Sequence, residues 1–489
     1  MAEGELEPGD LVSWREIRQV ASRRFGIKTF RPGQRELIEA VLAGRNALGI
    51  LPTGAGKSLC FQLPSLFLKG TVVVVSPLIA LMQDQISRLE AARIEAARLD
   101  SSVSAKEQLQ QEDELREGSH DIVLLTPERL THPEHLEPLA EREVALFVVD
   151  EAHCVSEWGH DFRPAFLQLR AAIEHLGKPP VLALTATAPP NLIADVLQRL
   201  RIEDAEVIQT GIERENLYLE VARTVNREEK EAAMLKILDE NPGSGIVYVA
   251  TIRRVNEIHA WLVRNEVPAE RYHGQMSHRD RERSQARFMS GESRVMVATS
   301  AFGLGIDKPD VRFVAHWHFP GSVESYYQEA GRAGRDGEPA RCTLFYRLED
   351  KRIRSFFAGG KHPREHDINA VLRAFNQAGA NALSAQELAQ NSGVAAKRAA
   401  VLTSALEELE VIRRAGRKFR MTRPLNEAEV AEFVSSFDAL HEAEHERVRM
   451  IMRYGEIASC RMQFLREYFG EPAGEPCRHC DNCLHPIVT

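Results

Sequence analysis

The chain has 489 residues, 44% hydrophobic and 27% charged, which is ordinary globular composition and excludes a disordered or fibrous protein. At about 150 residues per domain it is long enough for three or four units, and no apolar run reaches the roughly 18 residues of a membrane span. A net charge of −9 excludes a general attraction to polyanions, so any nucleic-acid partner needs a local basic face.

The opening "MAEGELEPGD" is acidic where a signal peptide would be basic and then apolar, so a cytoplasmic protein is expected. Between residues 40 and 190, "TVVVVSP", "DIVLLTP", "ALFVVDE" and "VLALTAT" are uninterrupted apolar runs ending in a polar residue, separated by helical stretches. Strands apolar on both faces belong to a parallel sheet covered by helices, which makes this a doubly wound α/β unit.

Within it, "LPTGAGKSLC" has the wording of a phosphate-binding loop, although Leu51 replaces its first glycine. Backbone N–H groups from Thr53, Gly54, Ala55, Gly56 and Lys57 would cradle phosphates, Lys57 would reach the β and γ oxygens, and Ser58 would hold Mg2+. Taken alone, the stretch is equally a glycine turn before a helix. "VVDEAH" places Asp150 and Glu151 at the end of an apolar strand, a liability unless they serve an ion. Asp150 would hold Mg2+ through water and Glu151 would orient and deprotonate the attacking water.

The rhythm repeats over roughly 210 to 345 with "SGIVYVAT", "SRVMVATS", "VRFVAHW" and "ARCTLFYR". Ligands bind beyond the carboxyl ends of such strands, so two catalytic edges facing across a cleft are expected. Near the end of this unit, "QEAGRAGRDG" puts Arg332 and Arg335 three apart, predicted to share one helix face. They suit the neutralisation of charge on a γ-phosphate; a solvated basic face is the bland alternative.

From 346 the chain turns helical and charged. "HDINAVLRAFNQAG", "SAQELAQNSGV" and "AAKRAAVLTSALEELEVI" predict three helices, with Ser384 as an N-cap, and "IRRAGRKFRMTRP" predicts two short strands around Ala415-Gly416. Three helices and a ribbon suggest a winged helix-turn-helix, and a helical stretch over 425 to 469 follows. Arg413, Arg414, Arg417, Lys418, Arg420 and Arg423 crowd the ribbon without acids among them, a candidate DNA contact or a basic edge of a solvated ribbon.

Of seven cysteines, Cys60, Cys154 and Cys342 are scattered, while Cys460 precedes Cys477, Cys480 and Cys483 of "CRHCDNC" by one long interval. Four thiolates so spaced suit a closed tetrahedral Zn2+ site, with an iron–sulfur cluster as the lesser alternative and His479 and His485 as spare ligands.

Together, "FRPGQ", "LPTGAGKS", "SPLIALMQDQ", "DEAHCVSEWGHDFRP", "TATA", "ATSAFGLGIDKPDVR" and "YYQEAGRAGRDG" resemble the RecQ family of superfamily-two DNA helicases in order, spacing and wording. Such loops commonly begin with a non-glycine, so Leu51 fits the resemblance. It implies two RecA-like doubly wound parallel-sheet domains, over 1–208 and 209–345. A linker over 346–365, a winged-helix-like unit over 366–424 and a helical zinc-binding subdomain over 425–489 follow. The wing precedes the cysteines here, so it reads as an insertion, with 346–362 and 425–485 packed together around it.

The resemblance further implies an ATP-, Mg2+- and Zn2+-dependent DNA helicase moving 3′ to 5′ on single-stranded and forked DNA, monomeric and associated with the nucleoid. Gln34 would read adenine through both edges of its carboxamide or else cap its helix, and Arg31 or an aromatic would stack on the base. Trp158 and Phe162 would stack on bases and His160 and Arg163 would add polar contacts, the core being the alternative place for the two rings. Thr185, Thr187, Gly303, Gly305 and Asp307 would relay nucleotide state to strand grip, with His153 and Thr187 as a bridge.

Overall fold

The computed structural model describes residues 12–77, 79–99, 120–130, 133–156, 164–302, 308–347, 363–379, 381–416 and 418–486. The apolar runs become strands because they offer water no polar face. In chain order they are β1 (Ala47–Ile50), β2 (Thr71–Val75), β3 (Ala96–Leu99), β4 (Ile122–Leu125), β5 (Val144–Asp150), β6 (Val181–Thr185) and β7 (Glu206–Gln209). All pair in parallel in the order β3-β4-β2-β5-β6-β1-β7. Burial alternates along each strand: Val73, Val75, Phe147 and Val149 enter one core, while Val72, Val74, Leu146 and Val148 enter the core on the opposite face. Each such side chain contributes about 1.5–3 kcal/mol, so neither helical layer can be lost without the other.

A second parallel sheet contains β8 (Leu217–Arg223), β9 (Ser244–Tyr248), β10 (Ala269–Tyr272), β11 (Val295–Ala298), β12 (Val311–His316) and β13 (Ala340–Tyr346), in the order β10-β11-β9-β12-β13-β8. Its principal core gathers Val247, Val295, Val297, Phe313 and Ala315 around Trp261 and Trp317. Gly245 on β9 lies opposite Phe313 on β12. The Phe313 ring occupies the space a side chain would need, since a Cβ on Gly245 would fall 2.1 Å from it.

Both sheets and the C-terminal residues from Glu456 belong to one compact unit; residues 347–455 form the body of another. In the second unit, helices Glu365–Ala378, Ala385–Ser392 and Ala396–Glu408 surround β14 (Leu383–Ser384), β15 (Ile412–Ala415) and β16 (Lys418–Met421), paired in the order β14-β16-β15. The expected cap at Ser384 forms a full capping box, in which its hydroxyl accepts from the Glu387 amide and Glu387 accepts from the Ser384 amide. Gly416 takes φ 64° at the ribbon turn.

The helix Glu427–Glu456 starts inside this unit's own core, where Phe433 and Phe437 pack with Phe375 and Leu402. Of the segment expected to pack beside it, residues 348–362 lie outside the described residues. No helix among the described residues is long and apolar enough to cross a membrane.

Gly245→Ala forces a methyl into the Phe313 ring and is expected to cost about 1–3 kcal/mol by overpacking. Calorimetry should register a lower unfolding temperature; an unchanged one would mean that the ring moves aside freely.

Candidate nucleotide-hydrolysis site and metal centre

The order of the first sheet puts β2, β5, β6 and β1 side by side, so their carboxyl ends deliver Ser76, Asp150, Thr185 and the loop 51–58 to one edge. Leu51 is fully buried in the core and its amide donates to the Thr185 carbonyl (3.1 Å). The place of the usual first glycine is thus inside the wall, and the turn begins after it. Gly54 and Gly56 take φ 86° and 78°, the left-handed conformations that glycine adopts without strain, and the helix Leu59–Gln62 continues beyond Ser58.

Gln34, expected to read adenine, is 3% exposed and has both ends of its carboxamide engaged. Its Nε2 donates to the carbonyls of Ala55 (2.9 Å) and Gly56 (3.0 Å), and its Oε1 accepts from the Arg31 amide (2.8 Å). In this conformation it braces the phosphate loop, with both amide hydrogens spent on main-chain carbonyls.

Asp150 is 5% exposed, accepting from the Ser76 hydroxyl (3.3 Å) and from the Glu151 amide (3.0 Å). Burial, and then the neighbouring Glu151 charge, push it up to about 6 against the pull of Lys57. Glu151 takes φ 51°, a left-handed conformation costing a non-glycine residue about 1–2 kcal/mol. Its Oε2 lies 3.3 Å from His153 Nδ1, which is also 3.1 Å from the Thr185 hydroxyl, and Thr185 donates to the Thr187 carbonyl (3.2 Å). The expected bridge from His153 therefore runs through Thr185 to the main chain of Thr187. Ser76 was given no role by the sequence; a polar residue just past a buried strand at this edge was the available signal.

Arg332 and Arg335 do not share a helix face. The helix Val323–Ala330 ends before them, and 331–336 is a run of turns with Gly334 at φ 56°. Glycines at 331, 334 and 337 explain why a helical spacing failed to propagate. The turn nonetheless meets the phosphate loop. A Cβ on Gly331 would lie 3.2 Å from Thr53 Cβ, and one on Gly54 would lie 3.5 Å from Arg335 Cγ.

Arg332 is 6% exposed, and its charge acts on the buried Tyr248 hydroxyl. Behind it His316, stacked on Tyr248, pairs with Glu329 at 2.8 Å. A cavity of about 350 Å3 lies beside the junction, lined by Arg31, Thr53, Gly54, Arg214 and Arg335 among others. Trp158, His160, Phe162, Arg163, Gly303, Gly305, Asp307 and Arg417 lie outside the described residues.

In the other unit the ribbon exposes Arg413, Arg414 and Lys418, and Arg413 stands opposite Arg420 across β15 and β16. Acids that the local sequence lacked come from neighbouring elements: Glu407 pairs with Arg414 (3.5 Å), Glu387 with Lys418 (3.3 Å) and Glu429 with Arg423 (2.8 Å).

The sulfurs of Cys460, Cys477, Cys480 and Cys483 all lie within 4.8 Å of one another. Tetrahedral coordination at about 2.3 Å puts sulfurs roughly 3.8 Å apart, so the donor set fits one ion after drawing together by about 1 Å or less. The hydrogen bond with the Cys477 thiol lowers the Cys480 thiol below its ordinary range despite burial. His479 and His485 are not in the cluster; His479 Nδ1 lies 2.6 Å from the Cys477 carbonyl. Arg461, 2% exposed, grips Asp481 through two bonds (2.5 and 2.8 Å), and Asp481 also accepts from the Val221 amide (2.9 Å), fastening the cluster to β8.

Three family models match the chain: DEAD/DEAH box helicase over 31–196, helicase conserved C-terminal domain over 229–337, and RecQ zinc-binding over 426–484. The ATP-dependent DNA helicase RecQ of Bacillus subtilis is 44% identical over 339 residues, 68% of this chain and 56% of that protein, so the match spans little more than half of that relative. The probable ATP-dependent DNA helicase RecS of the same organism is 39% identical over 365 residues, 74% of this chain and 73% of that protein. Among solved structures, Saccharomyces cerevisiae Dbp5 bound to RNA and ADP BeF3 superposes with a TM-score of 0.55 at 16% identity, covering 71% of this chain and 91% of Dbp5, a likeness of fold. With two parallel sheets and a four-cysteine cluster within the zinc-binding match, and with a relative 39% identical over 73% of its own length, the chain belongs to the RecQ family of ATP-dependent DNA helicases.

Proposed function

We propose that the chain hydrolyses ATP to drive movement along single-stranded DNA, 3′ to 5′, and to separate duplex strands during repair and recombination. The observation that carries this reading is the meeting of Gly331 with Thr53 and of Arg335 with Gly54, on a loop whose Lys57 charge acts on the buried Asp150. Amides of residues 53–57 and the Lys57 ammonium hold the β and γ phosphates, and Glu151 takes a proton from the attacking water. Arg332 and Arg335 neutralise charge that grows on the γ-phosphate oxygens, and they do so only when the second lobe is closed on the first. Ser58 and Asp150 would hold Mg2+, which supplies charge for the phosphate oxygens. Arg31 lines the adjoining cavity and would face the nucleoside end, whereas Gln34 reads adenine only by giving up bonds to the loop.

In this reading Cys460, Cys477, Cys480 and Cys483 hold a structural Zn2+, because four sulfurs leave no position open for substrate. Trp158, His160, Phe162 and Arg163, directly after the strained Glu151, contact the single strand, and Gly305 and Asp307 sense the nucleotide from the second lobe. Arg413, Arg414, Arg417 and Lys418 touch duplex DNA from the wing. Motor domains over 1–208 and 209–345, the linker 346–365, the wing 366–424 and a zinc subdomain over 425–489 complete the division of labour, and the protein acts as a monomer. A translocase that separates strands weakly is the second reading. It is favoured by Glu387 and Glu407, which already neutralise part of the ribbon's charge. A forked-duplex assay run beside a single-strand translocation assay separates the two.

Lys57→Ala is expected to abolish DNA-stimulated ATP turnover; retained turnover would remove the phosphate-loop assignment. Arg335→Ala should lower kcat by about a thousandfold with little change in the KM for ATP. Cys480→Ser should reduce bound zinc from about one ion per chain to a small fraction, read by atomic emission, and lower the unfolding temperature.

A further inference from the structure

The segment 209–216 joins β7 of the first sheet to β8 of the second and is held from two sides. Towards the arginine turn, the Arg214 guanidinium donates to the carbonyls of Gly331 (2.9 Å) and Gly334. Asn216 Nδ2 donates to Gly334 (2.8 Å) and Glu338 (2.9 Å), and the Tyr327 hydroxyl donates to the Ile212 carbonyl. Of the carbonyls so gripped, that of Gly331 immediately precedes Arg332 and that of Gly334 immediately precedes Arg335.

On the other side stands the cysteine module. Glu471 accepts from Gln209 Nε2 (3.4 Å) and from the Ile212 amide, and Arg466 pairs with Glu213. Arg466 also donates to the carbonyls of Ala473 (3.0 Å) and Glu475 (3.1 Å), in the loop that leads to Cys477. Gln209 and Glu213 thus serve the module, and Arg214 and Asn216 serve the arginine turn.

Two features set this apart from ordinary filling of space. A planar guanidinium spent on two main-chain carbonyls and on Asn216 Oδ1 (3.4 Å), with no carboxylate in an ion pair with it among the described residues, fixes backbone position, since its rigid fork loses little freedom on binding. The turn is also built around the grip: Gly334 is at φ 56°, and a Cβ there would fall 2.4 Å from Asn216 Nδ2.

We propose that Arg214 and Asn216 are positioning residues for the arginine pair, holding the turn 331–337 at its height over the phosphate loop. Arg466 and Glu471 hold the linker in turn, so that order in the cysteine module reaches the hydrolysis site. This rests on the reading of Arg335 as the group that neutralises the γ-phosphate. A displacement of about 1 Å at such a group is enough to cost on the order of a hundredfold in rate, without any loss of nucleotide affinity.

The test uses the full chain with bound zinc, measuring DNA-stimulated kcat and KM for ATP, the Kd of a fluorescent ATP analogue, and zinc content. Asn216→Asp keeps shape and removes both donors; Arg214→Lys keeps charge and cannot span both carbonyls. Each is expected to lower kcat by about tenfold or more, with KM, Kd and zinc content within about threefold of the parent. Arg466→Ala should lower kcat less, and its combination with Asn216→Asp should lose less than the product of the two. Parental kcat in both linker variants, or a loss confined to KM, overturns the positioning role. Strict multiplicativity in the double variant overturns the link to the cysteine module. Arg335→Ala is the separate arm: full turnover there sinks the assignment of Arg335 itself, whereas an inactive Arg335→Ala beside fully active linker variants sinks the positioning proposal alone.

Discussion

Everything at the candidate nucleotide site depends on how closely two backbones approach. A phosphate loop presents main-chain amides, so an arginine from the opposite domain is useful only if its own main chain comes within a few ångströms. Gly331 makes that possible: a Cβ there would lie 3.1 Å from the Tyr327 carbonyl and 3.2 Å from Thr53. Gly54 accepts the Arg335 stem in the same way. The glycines of "GRAGRDG" therefore serve two ends, ending the helix after Ala330 and letting the turn reach across.

Charge at this edge is arranged to be uncomfortable in the protein alone. Asp150 is buried beside Glu151 and pushed up to about 6, and Glu151 occupies a left-handed backbone conformation. Structure of this kind persists when its surroundings over-determine it, and here the packed strand β5, the Ser76 hydroxyl and the His153–Thr185 pair do so. Strain and misplaced charge are consistent with an edge built to receive a cation and a polyphosphate.

The cysteine module is fastened to the motor rather than appended to it. Arg461, Asp481 and the Val221 amide tie it to the second sheet, Glu471 and Arg466 tie it to the linker, and Gly470 sits where a Cβ would fall 2.5 Å from Pro190 of the first domain. In the Arg461–Asp481 pair the guanidinium is buried and the carboxylate partly so, so removing Asp481 would leave a buried charge without its partner. Its anchors lie on both sheets and on the segment between them.

Strand identity, the parallel arrangement, the phosphate loop, the acidic pair and the four-cysteine set were legible in the chain because each is local: apolar runs, glycine spacing and thiol spacing act within a few residues. So was the wing, down to the Ser384 cap. What failed or was missed involves groups distant in sequence. The ribbon's cations find acids on other elements, whereas Arg332 and Arg335 lie in turns for a local reason, the three glycines of their own segment, which outweigh helical spacing. Ser76, which opens "SPLIALMQDQ", and Arg214 and Asn216 were given no role, since their partners are main-chain groups or side chains that only the folded chain brings near. Short-range stereochemistry was enough to mark the glycine loop and the four thiols as candidate sites; that Arg335 stands against Gly54 depended on contacts between segments far apart in the chain.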